Sequence, residues 1–236
     1  MIFLENWNRQ QNSKCWDAIA EKRFYQESSN LDESFSNVLV PNILKHLPSQ
    51  NIEFLLDAGC GVGVLTNILT QYASRVDGVD GSKKCIDIAK EKFKKNTKLA
   101  FFEKYIENFN IEKKYDVVIA NMVLMDLVNL EAAIKQIFKL IKEKGCFIFT
   151  ITHPCFWSKY WNYENQKKFN YNKEIFVEHS FDITSEKGSF KTVHIHRPLS
   201  KYFEIIIKNG FTIKAVEELY GKNFDFPRFL LIKCFK

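Results

Sequence analysis

An apolar run that leads straight into closely spaced glycines constrains the fold of this chain more than any other feature. Residues 55–66 read LLDAGCGVGVLT, which is a buried-strand pattern followed by three glycines and the start of a helical pattern. Glycines let the backbone turn tightly and approach a ligand closely. The pattern therefore predicts a strand, a ligand-binding loop and a helix in direct succession.

Short apolar runs and helical patterns alternate on both sides of this loop. The predicted strands are 53–58, 75–80, 99–102, 115–120, 146–151, 212–216 and 229–234, and the predicted helices between the earlier strands are 64–72, 83–95 and 130–141. We interpret Gly145 as the stop signal of the last of these helices. Strands and helices at this spacing indicate parallel βαβ units, with helices on both faces of one sheet.

Two regions interrupt the alternation. Residues 13–25 and about 34–47 have helical patterns that precede the first strand, and we expect them to cover its loop edge. Residues 153–197 form an aromatic-rich insertion with some period-2 alternation after the fifth strand. Ligands of open α/β sheets bind at the carboxyl edge, so the insertion is predicted to lie over that edge as a lid.

Composition narrows the class of protein. A chain of 236 residues with 46% hydrophobic and 26% charged residues is typical of a single globular domain. Its apolar runs are far shorter than the roughly 20 residues that span a bilayer. Six scattered cysteines without a CxxC pair predict reduced thiols and no metal site. We therefore expect a cytoplasmic protein that has no membrane partner.

The residues around the glycines limit the ligand. A P-loop needs Lys followed by Ser or Thr, which is absent here, and a dinucleotide GxGxxG motif that starts at Gly59 needs a glycine where Val64 stands. The remaining pattern is acid-x-Gly-x-Gly-x-Gly. The carboxylate of Asp57 suits an ammonium group better than a pyrophosphate, which it would repel.

A second acid is expected near the same loop. Asp80 ends the next predicted strand, 21 residues after Gly59, where a carboxylate can accept hydrogen bonds from both hydroxyls of a ribose. The alternative is that Asp80 caps the following helix. Because Ser82 can supply that cap, we favour the ribose role.

At these residues the sequence resembles the class I S-adenosylmethionine-dependent methyltransferases. LLDAGCGVG (55–63) and VDGVDGS (76–82) are similar to the first two motifs of that family, and YDVVIANMVLMDL (115–127) resembles its fourth strand and loop. The resemblance implies a doubly wound, Rossmann-like sheet of seven mostly parallel strands in the order 3-2-1-4-5-7-6. It also implies one domain over 1–236: the N-terminal helices (1–50), a cofactor-binding core (51–152), a substrate lid (153–197) and the final helix and strands (198–236).

The resemblance implies S-adenosyl-L-methionine as cofactor and S-adenosyl-L-homocysteine as product. Tyr105, in FEKYIENF (102–109), occupies the place where the family often has an acid that contacts the adenine amino group, which leaves Ile106 and Glu107 as neighbours. The region of Trp16 and Tyr25 is similar to a helix that closes over the methionine end. The expected cofactor residues are Trp16, Tyr25, Asp57, Gly59, Cys60, Gly61, Gly63, Asp80, Gly81, Ser82, Tyr105, Ile106, Glu107, Asn121 and Met122.

His153, directly after the fifth strand, is the candidate general base, because an imidazole titrates near neutral pH. The equally weighted alternative is that it shapes the turn into Pro154. Arg197 could bind a substrate carboxylate or tie the insertion to the next helix. His194 and His196 lack a third ligand, so they are not interpreted as a metal site. The expected substrate residues are Trp157, Tyr160, Tyr163, His194 and Arg197.

The leading functional hypothesis is in-line methyl transfer to an O or N atom of a small molecule. FTITHPCF (149–156) and HRPLSKYFEIIIKNGF (196–211) resemble a small-molecule-type subgroup of the family. An RNA (tRNA) methyltransferase is an alternative, since lysines and aromatics interleave in 139–173, although only five of the 34 basic residues are Arg. A non-catalytic S-adenosylmethionine-binding protein is the third possibility.

Overall fold

A seven-stranded sheet organises the chain, which a computed structural model describes for residues 2–181, 190–222 and 224–236. The described strands are β1 (Ile2–Leu4), β2 (Ile52–Ala58), β3 (Ala73–Asp80), β4 (Leu99–Glu103), β5 (Tyr115–Asn121), β6 (Ile141–Thr152), β7 (Ile175–Ser180), β8 (Lys191–His196), β9 (Thr212–Leu219) and β10 (Phe229–Phe235). The described α-helices are α1 (Arg9–Ser28), α2 (Val40–Lys45), α3 (Val64–Leu69), α4 (Lys83–Lys92), α5 (Leu130–Leu140), α6 (Trp157–Tyr160) and α7 (Leu199–Lys208).

The large sheet has the order β4-β3-β2-β5-β6-β10-β9. Its first five strands are parallel, and β10 runs antiparallel to both β6 and β9. Numbered along this sheet alone, the order is 3-2-1-4-5-7-6, so the predicted fold is confirmed. Successive residues of the central strands pack into different cores: Leu55 and Val117 lie in one cluster, and Leu56 and Val118 lie in the other. Burial on both faces explains the continuous apolar runs of these strands.

The helical cover at the N-terminus is present with different bounds. Helix α1 starts after Asn8, whose side chain forms a capping box with Gln11, and it is longer at both ends than the predicted 13–25. A π-helical segment, Phe35–Leu39, leads directly into α2. Ile19, Phe35 and Ile43 are buried, so this cover packs against the rest of the molecule through apolar side chains.

The interpretation of Gly145 as a helix stop is wrong. Helix α5 ends at Leu140, and the chain becomes extended at Ile141, which pairs with Tyr115 in the sheet. Gly145 lies inside β6, where a Cβ atom would come 2.5 Å from Cγ2 of Ile141 and 2.8 Å from the carbonyl oxygen of Lys142. Close packing of the backbone, and not the end of a helix, accounts for glycine at this position.

The insertion contains a small second sheet. Strands β7 and β8 pair antiparallel, and the N-terminal strand β1 adds to the outside of β7 with Phe3 opposite Val177. The period-2 alternation of the insertion corresponds to β7 and β8, whereas β1 was not predicted. Residues 182–189 of the predicted lid lie outside the described residues. The described part of the chain contains no helix that is long and apolar enough to cross a membrane.

Candidate functional site

The glycine loop between β2 and α3 has the geometry that its sequence predicts. Gly59, Gly61 and Gly63 have φ angles of 78°, 50° and 81°, in the left-handed region that favours glycine. A Cβ atom on Gly59 would lie 2.3 Å from Cγ2 of Val123, while the space around a Cβ on Gly61 is free of heavy atoms within 4 Å in the described chain. The backbone at Gly61 is therefore open to a ligand, and the backbone at Gly59 is packed.

Asp80 connects the end of β3 to this loop. Its Oδ2 accepts a hydrogen bond from the Gly61 amide at 2.9 Å, and its Oδ1 accepts one from the Ser82 amide at 2.7 Å. Burial raises the pKa of the Asp80 carboxyl, and these backbone amides oppose that rise. Each carboxylate oxygen has a further lone pair, so Asp80 can still accept hydrogen bonds from a ligand.

Ser82 caps α4, as expected. Its Oγ accepts a hydrogen bond from the Cys85 amide at 3.1 Å and donates to Oδ1 of Asp17 at 2.6 Å. The Ser82 side chain is buried by these contacts and is not among the residues that line the cavity described below.

Asp57 is a buried carboxyl group at the end of β2, with 1% of its surface exposed. Its Oδ2 accepts a hydrogen bond from Oγ1 of Thr66 at 2.7 Å. Burial raises the pKa of Asp57 to about 7, and the charges of Asp80 and Glu27 also favour the protonated form. A cation bound beside Asp57 would offset both effects.

A cavity of about 590 Å³ opens at the carboxyl edge of the large sheet, from the glycine loop to the insertion. The predicted cofactor residues that line it are Trp16, Asp57, Gly59, Cys60, Gly61, Asp80, Gly81, Tyr105, Ile106, Glu107, Asn121 and Met122. The predicted substrate residues that line it are Trp157, Tyr160 and His194.

The loop after β5 enters this cavity in a constrained conformation. Met122 has a φ angle of 57°, which is uncommon for a long side chain. Its amide donates hydrogen bonds to the carbonyl oxygen and to Oγ1 of Thr150, at 3.0 and 3.1 Å. Oγ1 of Thr150 also donates to Oδ1 of Asn121 at 2.7 Å. Backbone strain held by neighbouring groups in this way is typical of functional sites.

Other predicted site residues lie outside the cavity lining. Tyr25 is 59% exposed on α1. A Cβ on Gly63 would come 2.9 Å from the side chains of Ala89 and Phe101, so Gly63 serves the packing of the loop. The buried hydroxyl of Tyr163 pairs with Nδ1 of His196 at 3.1 Å within the insertion. These three residues therefore have no contact with the cavity in the described structure.

His153 follows β6 and is not among the residues that line the cavity. Its Nε2 lies 3.0 Å from Oε1 of Glu218, and its Nδ1 accepts a hydrogen bond from the Cys155 amide at 3.3 Å. Burial lowers the pKa of His153, and Glu218 opposes that change. One ring nitrogen thus contacts Glu218 on β9 and the other contacts the turn, which is the kind of contact that the structural alternative predicts.

Arg197 has the tying role that was its alternative. Its Nε donates to Oε2 of Glu174 at 2.5 Å, and its Nη1 and Nη2 donate to the carbonyl oxygens of Leu124 and Leu127 at 3.2 and 2.6 Å. The side chain is 2% exposed and does not line the cavity. It joins the insertion to the loop after β5.

His194 is the buried imidazole that faces the cavity. Its Nδ1 lies 3.4 Å from Oγ1 of Thr152 at the end of β6. Burial, with the charges of His196 and Arg197, places its pKa well below the usual 6.5. His194 is therefore neutral at pH 7, and its surroundings disfavour the protonated form.

Sequence reasoning missed Arg228, which also lines the cavity. Strand β10 is antiparallel to β6 with Phe229 opposite Thr152, and the His153 amide donates to the Arg228 carbonyl oxygen at 3.0 Å. The start of an antiparallel strand lies at the edge where its parallel neighbours end. Arg228 directly precedes the last predicted strand. Combined with the predicted strand order, that position could have placed Arg228 at the ligand-binding edge of the sheet.

One side of the cavity holds a buried acceptor. Oε2 of Glu107 is buried and finds no hydrogen-bond donor among the described residues. Tyr105, nearby in sequence, lies under the Arg9 guanidinium, 4.7 Å from the ring centroid, and its hydroxyl is 3.2 Å from Oγ of Ser13. Buried acceptors are nearly always satisfied, so a donor from a ligand fits this position.

The fold, the glycine loop and the acid at the tip of β3 together define an α/β protein with a cavity at the carboxyl edge of its sheet. The family described as a methyltransferase domain matches residues 56–149, which run from β2 to β6. This part of the chain is similar to that family, and the strand order of the large sheet is the one that the resemblance to class I S-adenosylmethionine-dependent methyltransferases implies.

Relatives and solved structures agree with this family. A ribosomal protein L11 methyltransferase of Dictyoglomus thermophilum is 34% identical over 95 residues, which cover 40% of this chain and 31% of that protein. A ubiquinone biosynthesis O-methyltransferase of Pelagibacter ubique is 39% identical over 107 residues, 44% of each protein. The crystal structure of a Listeria monocytogenes protein, assigned as an S-adenosylmethionine dependent methyltransferase, superposes with a TM-score of 0.65 at 26% identity over 83% of this chain and 96% of that one. The chain thus spans less than half of the length of these two curated relatives.

Proposed function

We propose that this chain binds S-adenosylmethionine in the cavity and transfers its methyl group to an O or N atom of a small molecule. The observation that carries the proposal is the continuity of one cavity between the acid-bearing glycine loop and an aromatic compartment. We define the aromatic compartment as Trp157, Tyr160, Trp161, His179 and Phe229, which all line the cavity. Cofactor and acceptor would therefore meet in one enclosed space.

Three acids suit the polar groups of the cofactor. Asp80 can accept hydrogen bonds from the ribose hydroxyls, and Asp57 can pair with the ammonium group at the methionine end. The unpartnered Oε2 of Glu107 can accept the adenine amino group. Because these acceptors line one cavity with the open backbone at Gly61, they fit the whole length of the ligand.

When bound, S-adenosylmethionine supplies the methyl group and the leaving group, so the protein has to position the acceptor and exclude water. The rings of Trp161 and His179 stack at a centroid distance of 4.5 Å, which gives the aromatic compartment a solid apolar wall. His194 lines the cavity beside Thr152, and we assign it, in place of His153, to remove a proton from a hydroxyl or amine acceptor.

Enclosure favours a small acceptor. Helix α1 and the insertion both contribute to the walls of the cavity, through residues such as Trp16 and Trp161. Several lysines of the Lys-rich surface pair with acids, for example Lys142 with Asp116 at 2.8 Å and Lys83 with Asp87 at 2.5 Å. No observation in the described residues favours RNA as the acceptor.

Free thiols at Cys60, Cys85, Cys146 and Cys234, all buried, fit a protein of the reducing cytoplasm.

The test is transfer of tritium from methyl-labelled S-adenosylmethionine to a cell extract separated into small metabolites, RNA and protein. We expect label in the small-metabolite fraction with the wild-type protein and none with Gly61→Val, in which a β-branched side chain would occupy ligand space. Label that goes to RNA or protein would contradict the acceptor class. Binding of the cofactor without any transfer would show a non-catalytic binding protein.

A further inference from the structure

Beside the aromatic compartment lies the guanidinium group of Arg228, which has no acidic partner among the described residues. Nη2 of Arg228 donates to the Tyr160 hydroxyl at 2.7 Å, and Nη1 donates to Oγ of Ser34 at 3.2 Å. Nε of Arg228 is buried and has no hydrogen-bond acceptor among the described residues. No ion pair of Arg228 within 4.0 Å occurs in the described part of the chain, whereas Arg23 and Arg197, which are also shielded from solvent, each pair with acids.

The carboxylate whose charge acts on Arg228 belongs to Asp32, and it already pairs with another residue. Oδ2 of Asp32 accepts a hydrogen bond from Nη1 of Arg23 at 2.9 Å, and its Oδ1 accepts one from the Phe35 amide at 3.1 Å. Burial lowers the pKa of Arg228, so the protein holds this cation in an environment that disfavours its charge. A buried charge is costly unless it is paired, and the described residues do not provide the pair.

Aromatic rings surround the guanidinium and fix its position. The guanidinium carbon lies 4.3 Å from the ring centroid of Tyr160, 5.2 Å from that of Phe229 and 5.9 Å from that of Trp157. Cation–π contacts of this kind stabilise the charge, but they leave donor hydrogens of the planar fork unused. The guanidinium therefore keeps its capacity to bind an anion.

The backbone at Gly221 packs closely against the side chain of Arg228. A Cβ on Gly221 would lie 2.8 Å from Cδ of Arg228, so only glycine allows this approach without a shift. The guanidinium thus contacts two distant parts of the chain. It donates hydrogen bonds to Ser34 and to Tyr160 on α6, while Arg228 itself directly precedes β10. Donors that are fixed before binding recognise a ligand at a lower entropic cost than mobile ones.

We propose that Arg228 binds an anionic oxygen group of the methyl acceptor, a carboxylate or a phosphonate or phosphate, and that the acceptor is therefore an acidic small molecule with an apolar body. The planar guanidinium matches such groups through two parallel hydrogen bonds. Trp157 and Trp161 contact the apolar body within the same cavity. This inference rests on the proposed function, because it places the acceptor beside the cofactor site.

The experiment measures calorimetric affinity for three probes of similar shape: benzoate, phenylphosphonate and the uncharged benzamide. Each probe is titrated into the protein with and without saturating S-adenosylhomocysteine. We expect the better anion to bind at least about tenfold more tightly than benzamide, which corresponds to one charge-assisted contact. Whichever of benzoate and phenylphosphonate binds more tightly identifies the kind of anionic group.

Variants separate binding by Arg228 from a structural role. Arg228→Gln should abolish the preference for the anion, and Arg228→Lys, which retains the charge without the fork, should retain only part of it. Arg75→Gln is the matched control, because it removes the same charge from an exposed side chain outside the cavity lining, and it should retain the full preference.

Equal binding of benzamide and both anions to the wild-type protein would overturn the inference without any variant, and so would a preference that survives in Arg228→Gln. If Arg228→Gln does not fold, the wild-type comparison and Arg228→Lys still decide. Failure to bind S-adenosylhomocysteine would contradict the proposed function instead, and the titrations without that ligand would still report on Arg228.

Discussion

The amide of Gly61 donates a hydrogen bond of 2.9 Å to Oδ2 of Asp80, and this contact joins the glycine loop to the tip of the neighbouring strand. The two residues belong to different sequence motifs, on β2–α3 and at the end of β3. Because one contact links them, the loop that approaches the ligand and the acid that accepts its hydroxyls form a single unit. Changes at either position should therefore affect ligand affinity.

Asp80→Asn should weaken S-adenosylhomocysteine binding by about 10- to 100-fold, since a charge-assisted hydrogen bond contributes about 1.5–3 kcal/mol. Isothermal titration calorimetry measures the change. Asp87→Asn, which alters an exposed acid on α4 that pairs with Lys83, is the matched control and should bind normally. Unchanged affinity in Asp80→Asn would limit Asp80 to holding the loop.

Gly61→Ala and Gly59→Ala should separate binding from stability. A Cβ on Gly61 meets no described atom within 4 Å, so Gly61→Ala should cost only about 1–2 kcal/mol for its positive φ angle and yet weaken ligand binding strongly. Gly59→Ala adds a collision with Val123 at 2.3 Å and should lower the melting temperature further. Thermal melts and titrations of both variants are compared. The reverse order of stability would contradict the geometry of the loop.

Ligand affinity should fall as the pH is lowered through 7. Burial raises the pKa of Asp57 to about 7, so acidification protonates the carboxylate that pairs with the ligand ammonium, and affinity should drop by up to about tenfold per pH unit below that value. Titrations between about pH 5.5 and 7.5 measure the slope for S-adenosylhomocysteine. Asp57→Asn should bind weakly with little dependence on pH. A wild-type affinity that is flat over this range would show that Asp57 does not meet the ammonium group.

The same pKa shift has the opposite effect on the protein without ligand. A carboxyl that is protonated more readily in the folded state than in the unfolded state binds more protons when folded. Stability should therefore decline as the pH rises from about 4, the ordinary Asp value, to about 7. Chemical denaturation should show a smaller decline in Asp57→Asn than in the wild-type protein, because the buried carboxyls of Asp80 and Asp126, whose pKa values are also raised, remain in both. A parallel decline in Asp57→Asn would assign it to other groups.

His194→Gln and His153→Gln should affect different properties. Loss of a general base costs about 10²- to 10⁴-fold in rate, which we expect for His194→Gln with cofactor affinity retained. His153→Gln should instead lower the melting temperature, because the contacts to Glu218 and Cys155 are lost. Label transfer to the acceptor fraction and thermal melts distinguish the two. Normal transfer by His194→Gln would exclude His194 as the base.

The arrangement of the large sheet was predictable because its signals are local. The glycines from Gly59 to Gly63 and the acid at Asp80 mark strand ends within short stretches of sequence, and apolar runs mark the buried strands. Strand β1 was not predictable in the same way. It has three residues and pairs with β7, so Phe3 meets Val177 across a sequence separation that no local pattern reports.

The candidate site was predictable at the strand ends and less so in the insertion. His153 is adjacent to β6 in sequence, but the turn directs its ring toward Glu218. His194 reaches Thr152 only because the insertion folds back over the edge of the sheet. Arg228 enters the cavity through the antiparallel register of β10. Such positions depend on long-range packing, which sequence patterns of short period do not encode.

Calorimetric titration of the wild-type protein and Gly61→Val with S-adenosylhomocysteine tests the central claim most directly, because it requires no knowledge of the acceptor. Binding to a single site in the wild-type protein and its loss in a folded Gly61→Val variant is the result that we predict. Absence of binding to the wild-type protein, or equal affinity in both proteins, would contradict the assignment of the cavity as an S-adenosylmethionine site.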